Sequence, residues 1–210
     1  MTFAVGVLDL FSLAIPGGLH LALLIYVLTR LDLFSLAGLQ SVPSALLVVG
    51  AVVGSYVLGH LTAPLSVLID RIAPRRHWAP DDARRAFLDR VPQAKERAFV
   101  CADHKLLMAA AELHDKTASG EITRLEAMSL MLRNIAFALA LAAVVTLVEL
   151  AVGPHRLAAG CAAARLVAAL LGIVREGRRA RHWCRLKTTE LCFWIPDIDA
   201  KLEPAAAENE

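Results

Sequence analysis

An all-α polytopic membrane protein is the fold class this sequence predicts, and three observations predict it. Of 210 residues, 57% are apolar and 20% charged, with a mean hydropathy of +0.56; soluble domains run nearer to about 45–50% apolar and about 25% charged. The apolar excess gathers into long runs almost free of charge. The basic residues fall between and after those runs, on alternate sides.

A helix needs about 20 mostly apolar residues to cross roughly 30 Å of hydrocarbon. Four stretches meet or come close to that length: 14–36, 43–69, 134–152 and 157–174, the last Ala-rich and carrying Arg165. Ahead of the first, residues 3–13 are apolar but contain Asp9 and end at Pro16-Gly17-Gly18, a strong local break. Residues 1–13 therefore read as an interfacial or re-entrant lead-in, 14–69 as spans one and two, and 134–174 as spans three and four. No Lys or Arg precedes Arg30, so the basic start of a secretory signal is missing and the first span is expected to be retained.

Segment 70–133 holds 12 Lys and Arg and the tail 175–210 holds 7, whereas the other two linkers offer only Arg30 and Arg156. Cytoplasmic loops carry the basic excess, so the expected location is the cell membrane, multi-pass, with both termini cytoplasmic. The preponderance of Arg over Lys and the abundance of Ala fit a GC-rich, bacterial genome.

The insert 70–133 predicts structure of its own. Pro80-Asp81-Asp82 starts a short helix that Pro92 ends. Phe99, Ala102, Leu106, Ala109 and Leu113 then recur at helical spacing, and Ile122, Leu125, Ser129 and Leu132 resume the pattern after Gly120. These predict a cytoplasmic helical hairpin turning at 115–120 between spans two and three, its apolar stripes buried on each other or on a neighbouring subunit. Thr123-x-x-Glu126 resembles a capping box in spacing. The second helix should run unbroken into span three. Residues 175–210 read as a basic juxtamembrane segment and a disordered acidic tail.

Ionisable groups inside hydrocarbon are rare and tend to face a bundle interior and pair. Four intramembrane polar residues qualify: His20, His60, Glu149 and Arg165. Counted from the short outer linker, Glu149 lies roughly 6 Å and Arg165 roughly 12 Å deep at 1.5 Å per residue. They can salt-bridge spans three and four or line a path. His20 and His60 fall in the cytoplasmic half and can relay protons or simply pack across helices. Gly50, Gly54 and Gly59 form one small-residue packing face, and Gly160 with Ala164 another. Below span four, Arg175, Arg178, Arg179, Arg181, Arg185 and Lys187, with Trp183 and Trp194, form the expected lipid-headgroup contact.

Cys101, His104, Glu112, His114 and Asp115 are metal-ligand types, as are His182, Cys184 and Cys192, but their spacings match no zinc pattern, so no metal and no cofactor is expected. The cysteines form no CxxC pair, and three of the four fall in cytoplasmic segments, which disfavours disulfides. HExxH, GxSxG, P-loop and GxGxxG motifs are all missing, which excludes the corresponding soluble-type chemistries. The mild net charge of +2 disfavours nucleic acid as a partner. The expected partners are the lipid bilayer, further copies of the chain, and a cytoplasmic protein.

Three functions compete on this reading. The first is a non-enzymatic membrane protein that oligomerises and couples a cytoplasmic hairpin to a bundle, as an effector pore, gated leak or docking platform. The second is a small transporter or ion channel using Arg165, Glu149 and His60. The third is a membrane enzyme with dispersed cytoplasmic residues His104, Glu112, His114 and Asp115.

Overall fold

The computed structural model describes residues 2–35, 42–72, 80–153 and 156–202. All regular secondary structure among them is helical: α1 (Thr2–Arg30), α2 (Ser44–Thr62), α3 (Val67–Ile72), α4 (Pro80–Arg90), α5 (His104–His114), α6 (Lys116–Val152), α7 (Arg156–Phe193) and α8 (Ile198–Leu202). Two 3-10 turns, Pro92–Ala94 and Ala98–Cys101, lie between α4 and α5. Four helices carry stretches long and apolar enough to cross a membrane: Ser12–Arg30, Ser44–Thr62, Lys116–Val152 and Arg156–Phe193. The residues cluster into two compact units. One comprises Met1–Pro74 and Ala127–Gly177, the other Arg75–Glu126 and Arg178–Glu210.

In the first unit α1 runs through Pro16 without interruption, so the expected break at Pro16-Gly17-Gly18 is absent and the lead-in forms the first turns of the same helix. A mid-helix proline forfeits one ladder bond, and neighbouring helices can compensate. Here the glycines serve α1–α2 packing instead of a turn. A Cβ on Gly17 would lie 1.7 Å from the Ser55 carbonyl oxygen, and one on Gly59 would lie 2.1 Å from that of Leu13. The two backbones therefore touch through Gly17, Ser55 and Gly59, a close approach only residues this small allow. α1 ends in a Schellman arrangement: Asp32 is left-handed at φ 56°, its N–H bonds Thr29 O at 3.2 Å, and Leu33 N–H reaches Leu28 O at 3.0 Å. α2 stops at Thr62 instead of running to 69, because Pro64 has no N–H to continue the ladder.

α6 and α7 run antiparallel. A Cβ on Gly160 would sit 3.7 Å from Leu150, and one on Gly177 would sit 3.3 Å from Leu132, so the register holds over the whole paired length. α1 and α6 run parallel: His20 meets Phe137, and Arg30 meets Glu149. With equal rise in both helices, residue n of α1 lies beside roughly residue n + 118 of α6.

The second unit has a conventional apolar core. Phe87 from α4, Phe99 from the 3-10 turn, Leu107 and Ala111 from α5, Ile122 from α6, Leu186 and Cys192 from α7, and Ile198 from α8 are all buried. Phe87 packs edge-on against Phe99 and Phe193, with ring centroids 6.1 and 6.2 Å apart. Arg97 lies over the rings of Phe99 and Phe193 and bonds Asp199 at 2.6 Å, while the Phe99 N–H donates to the other Asp199 oxygen at 3.0 Å. One carboxylate thus fastens α8 to the 3-10 turn.

Three local expectations change here. α5 begins at His104, capped by Asp103, and the turn into α6 is the single residue Asp115, whose carboxylate accepts from the N–H groups of Thr117 and Ala118. Gly120 is interior to α6, and Thr123 bonds back to Ser119 O within that helix rather than capping one. The buried stripe of α5 is Leu107 and Ala111, one position on from the predicted one, so Leu106 and Leu113 stay exposed. Residues 175–202 are largely helical. α7 continues to Phe193, and from residue 178 its alternately buried His182, Cys184, Leu186 and Thr188 belong to the second unit. The final acidic residues 203–210 lie outside the described residues.

Candidate functional site

The polar groups of the first unit fall at three levels along its helices. At one end, Arg30 in the last turn of α1 donates from Nη2 to Glu149 Oε1 at 2.5 Å and from Nε to Oε2 at 3.3 Å, a bidentate pair. Gly153 leaves room for this carboxylate, since a Cβ there would meet Glu149 Oε1 at 2.4 Å. At the other end, Arg133 donates to Ser66 Oγ at 3.1 Å and lies 3.8 Å from Asp70. Sixteen residues of α6 separate Arg133 from Glu149, roughly 24 Å at 1.5 Å per residue. The stretch between the two charge clamps is apolar apart from Asn134 and Thr146.

This answers the pairing question posed by Glu149 and Arg165. Glu149 is held by Arg30, and Arg165 is exposed on α7 with no hydrogen bond or ion pair among the described residues. The α6–α7 register sets Arg165 beside about residue 145 of α6, roughly 6 Å inside the Glu149 level. It stands on a face of small exposed residues, Cys161, Ala164, Ala168 and Gly172. Composition flagged both charges; the missing signal was that Arg30, at the edge of its own span, reaches Glu149.

The histidines also separate. His20 is buried at 6% exposure beside Phe137, with ring centroids 5.7 Å apart. Its Nδ1–H donates to Pro16 O at 2.8 Å, and its Nε2 is buried with no hydrogen-bond partner among the described residues. His60 is exposed and meets Tyr56 edge-on at 4.8 Å. The two histidines form no contact. Asn134, 3% exposed on α6, likewise has a buried side-chain oxygen without a hydrogen-bond partner among the described residues.

Of the predicted packing glycines, Gly59 is in backbone contact with α1, Gly54 meets only Leu21 at 3.7 Å, and Gly50 faces open space. Gly160 packs on Leu150, whereas Ala164 is exposed. Ser55 and Gly17, which sequence spacing passed over, do the work assigned to Gly50 and Gly54.

Among the residues predicted to meet lipid headgroups, Arg175 and Arg179 are exposed, and Arg178, Arg179 and Arg181 each make an interaction of their own. Trp183 packs on the core of the second unit, Arg185 and Lys187 are half-buried on the same helix, and Trp194 is 75% exposed. Trp194 closes a shallow groove formed with Ala118, Glu121, Ile122, Lys187 and Leu191.

The dispersed candidates His104, Glu112, His114 and Asp115 do not converge. His104 Nε2 lies 3.8 Å from Cys184 Sγ, Asp115 caps α6, and Glu112 and His114 are exposed. Burial, reinforced by Arg185, pushes His104 below the usual histidine range. Burial also pushes the Cys184 and Cys192 thiols up to about 11. A thiol so raised stays protonated and is neither nucleophile nor ready metal ligand. Among the described residues no three His, Cys, Asp or Glu side chains are grouped to hold a metal ion.

No protein-family model, curated protein or solved structure matches this chain.

Proposed function

We propose that this chain is a non-enzymatic multi-pass membrane protein that assembles with further copies of itself and couples its second helical unit to a transmembrane bundle. The observation that carries the reading is Arg165. Four apolar helices are compatible with a membrane protein, and in that setting Arg165 is a cation inside hydrocarbon, exposed and without an ion pair among the described residues. A charge near a helix centre costs about 2.5–3.5 kcal/mol on insertion scales. Glu149, the acid that could offset it, is taken by Arg30. The face around Arg165 is built of Cys161, Ala164, Ala168 and Gly172, small side chains of the kind that let helices of separate chains approach closely. A ring of such faces around a water-filled centre surrounds each guanidinium with water, which fits an effector pore or gated leak better than a docking platform. The excess of Lys and Arg in 70–133 and 175–210 supports both termini and the second unit lying in the cytoplasm. α6 and α7 carry the apolar segments and continue without a break into residues of the second unit, a direct route for coupling.

Cys161 stands one helical turn from Arg165 on the same face and supplies the test. In a chain whose other three cysteines are serine, mild oxidation in native membranes should give a disulfide-linked dimer, and Cys placed at Val49 on α2 instead should not. Monomer throughout, with Cys161 open to labelling, would overturn the assembly.

A further inference from the structure

We infer that the exposed face of α5 docks across the groove between α6 and α7 of a second copy of this chain, joining the second units of neighbouring subunits. The inference rests on the assembly reading above and adds to it a contact outside the apolar segments.

Among the described residues of the second unit, only three large apolar side chains are exposed: Leu106 at 52%, Leu113 at 87% and Trp194 at 75%. Leu106 and Leu113 are two turns apart on α5, and the exposed Ala109 lies between them on the same face. They make an apolar ridge that its own chain leaves uncovered, beside the buried stripe of Leu107 and Ala111. Trp194 belongs to a concave feature. With Leu191 it forms the α7 wall of the shallow groove whose α6 wall is Ala118 and Ile122. Exposed apolar side chains gathered in this way mark contact surfaces. A ridge and a groove on different helices of one chain make a heterologous contact, in which each copy offers its ridge to the next copy's groove, and such contacts build rings when the rotation closes.

Charge selects a second copy as the occupant. The ridge is flanked by Lys105 and Glu112, both exposed and roughly 10 Å apart along the helix. The groove carries Glu121 on its α6 wall and Lys187 on its α7 wall, and packed helix axes lie about 8–10 Å apart. None of these four forms an ion pair among the described residues, whereas Glu190, the groove's remaining charge, is held by Arg90. One free cation and one free anion on the ridge thus match one of each on the groove, at similar spacing. Pairing Lys105 with Glu121 and Glu112 with Lys187 lays α5 across the groove, with the small Ala109 over its centre and Leu113 against Leu191 and Trp194. An anionic lipid surface calls for a cationic excess, and the charges flanking this ridge balance.

The test uses the full-length chain in native membranes with Cys101 and Cys161 changed to serine, since Cys184 and Cys192 are buried. One chain carries Ala109→Cys, a second carries Ala118→Cys, and a short bismaleimide is added. Linked dimer should form when the two are co-expressed and not when either is expressed alone. Lys187→Glu in the Ala118→Cys chain should slow linking about fivefold, the effect of one exposed ion pair turned repulsive. Glu112→Lys in the Ala109→Cys chain should then restore it. Absence of the mixed link, in membranes where Cys161 of a chain keeping that thiol does link, overturns the docking and leaves the assembly standing. A Cys161 that fails to link overturns the assembly and the docking with it. Linking indifferent to both charge changes also overturns the docking as drawn.

Discussion

Replacing Gly17 by alanine puts a methyl group where the backbone of α2 already is. The added carbon would fall 1.7 Å from Ser55 O and 2.7 Å from Gly59 N, against about 3.3–3.6 Å for a comfortable C–H···O contact. Both neighbours are backbone atoms, so no rotamer change relieves the clash, and α1 and α2 must part by about 1.5–2 Å. A gap of half that size already forfeits a quarter to a half of the dispersion energy. Overpacking of this kind costs about 1–3 kcal/mol. Setting the upper end of that range against roughly 1 kcal/mol of helix propensity gained leaves a net loss of about 2 kcal/mol. Gly50 on the same helix pair has nothing within 4 Å of its virtual Cβ, so Gly50→Ala should be neutral or slightly stabilising. The assay is SDS titration of protein in bicelles, read by maleimide access to Ser55→Cys in a background free of other cysteines. Gly17→Ala should open the seam at clearly lower SDS than Gly50→Ala. Equal midpoints would refute the backbone contact, and with it the account of why Pro16-Gly17-Gly18 does not break α1.

Other consequences are as direct. Arg133→Leu removes the hydrogen bond to Ser66 Oγ and the ion pair with Asp70 and should destabilise the bundle by about 1–3 kcal/mol; in a chain where Asp70 is already leucine the same change should cost less in the same SDS assay. In the second unit, burial would raise the Asp199 carboxyl, but the Phe99 N–H and Arg97 hold it below the usual carboxylate range. Its contribution to stability is therefore full above the unfolded value and lost as the pH falls through the folded one, and thermal unfolding followed by tryptophan fluorescence should lose that acid dependence in Asp199→Asn. Maleimide at pH 8 should label Cys101 and leave Cys184 and Cys192 unlabelled until the chain unfolds, since burial raises both thiols to about 11; rapid native labelling of either would contradict the packed core.

The apolar runs made the four long helices legible, because a span is a composition statement over about 20 residues. Pairings between spans were not legible in the same way. Arg30 and Glu149 are 119 residues apart, and nothing in either segment records the parallel register that joins them. Pro16-Gly17-Gly18 misled because local chemistry favours a turn, whereas the same glycines, placed against Ser55 and Gly59, are what a tight helix pair requires. In α5 the stripe Leu106, Ala109, Leu113 and the stripe Leu107, Ala111 are both apolar, and only the tertiary arrangement selects the second. REGRRARHWCRLK is legible as a basic cluster by charge alone, whereas the burial of His182, Cys184 and Leu186 within it emerges only from the tertiary arrangement. His20 was visible as a costly intramembrane residue, but its buried, unpartnered nitrogen beside Phe137 emerges only from the packing of α1 on α6.

Self-assembly is the claim on which the functional reading stands, and subunit counting tests it most directly. Single fluorescent labels bleached one by one, in bilayers where the chain is far too dilute to meet by chance, should show several steps per spot, with fewer when Ala164 and Ala168 are both enlarged to leucine. One step per spot for the wild type, in a folded chain, would contradict the account.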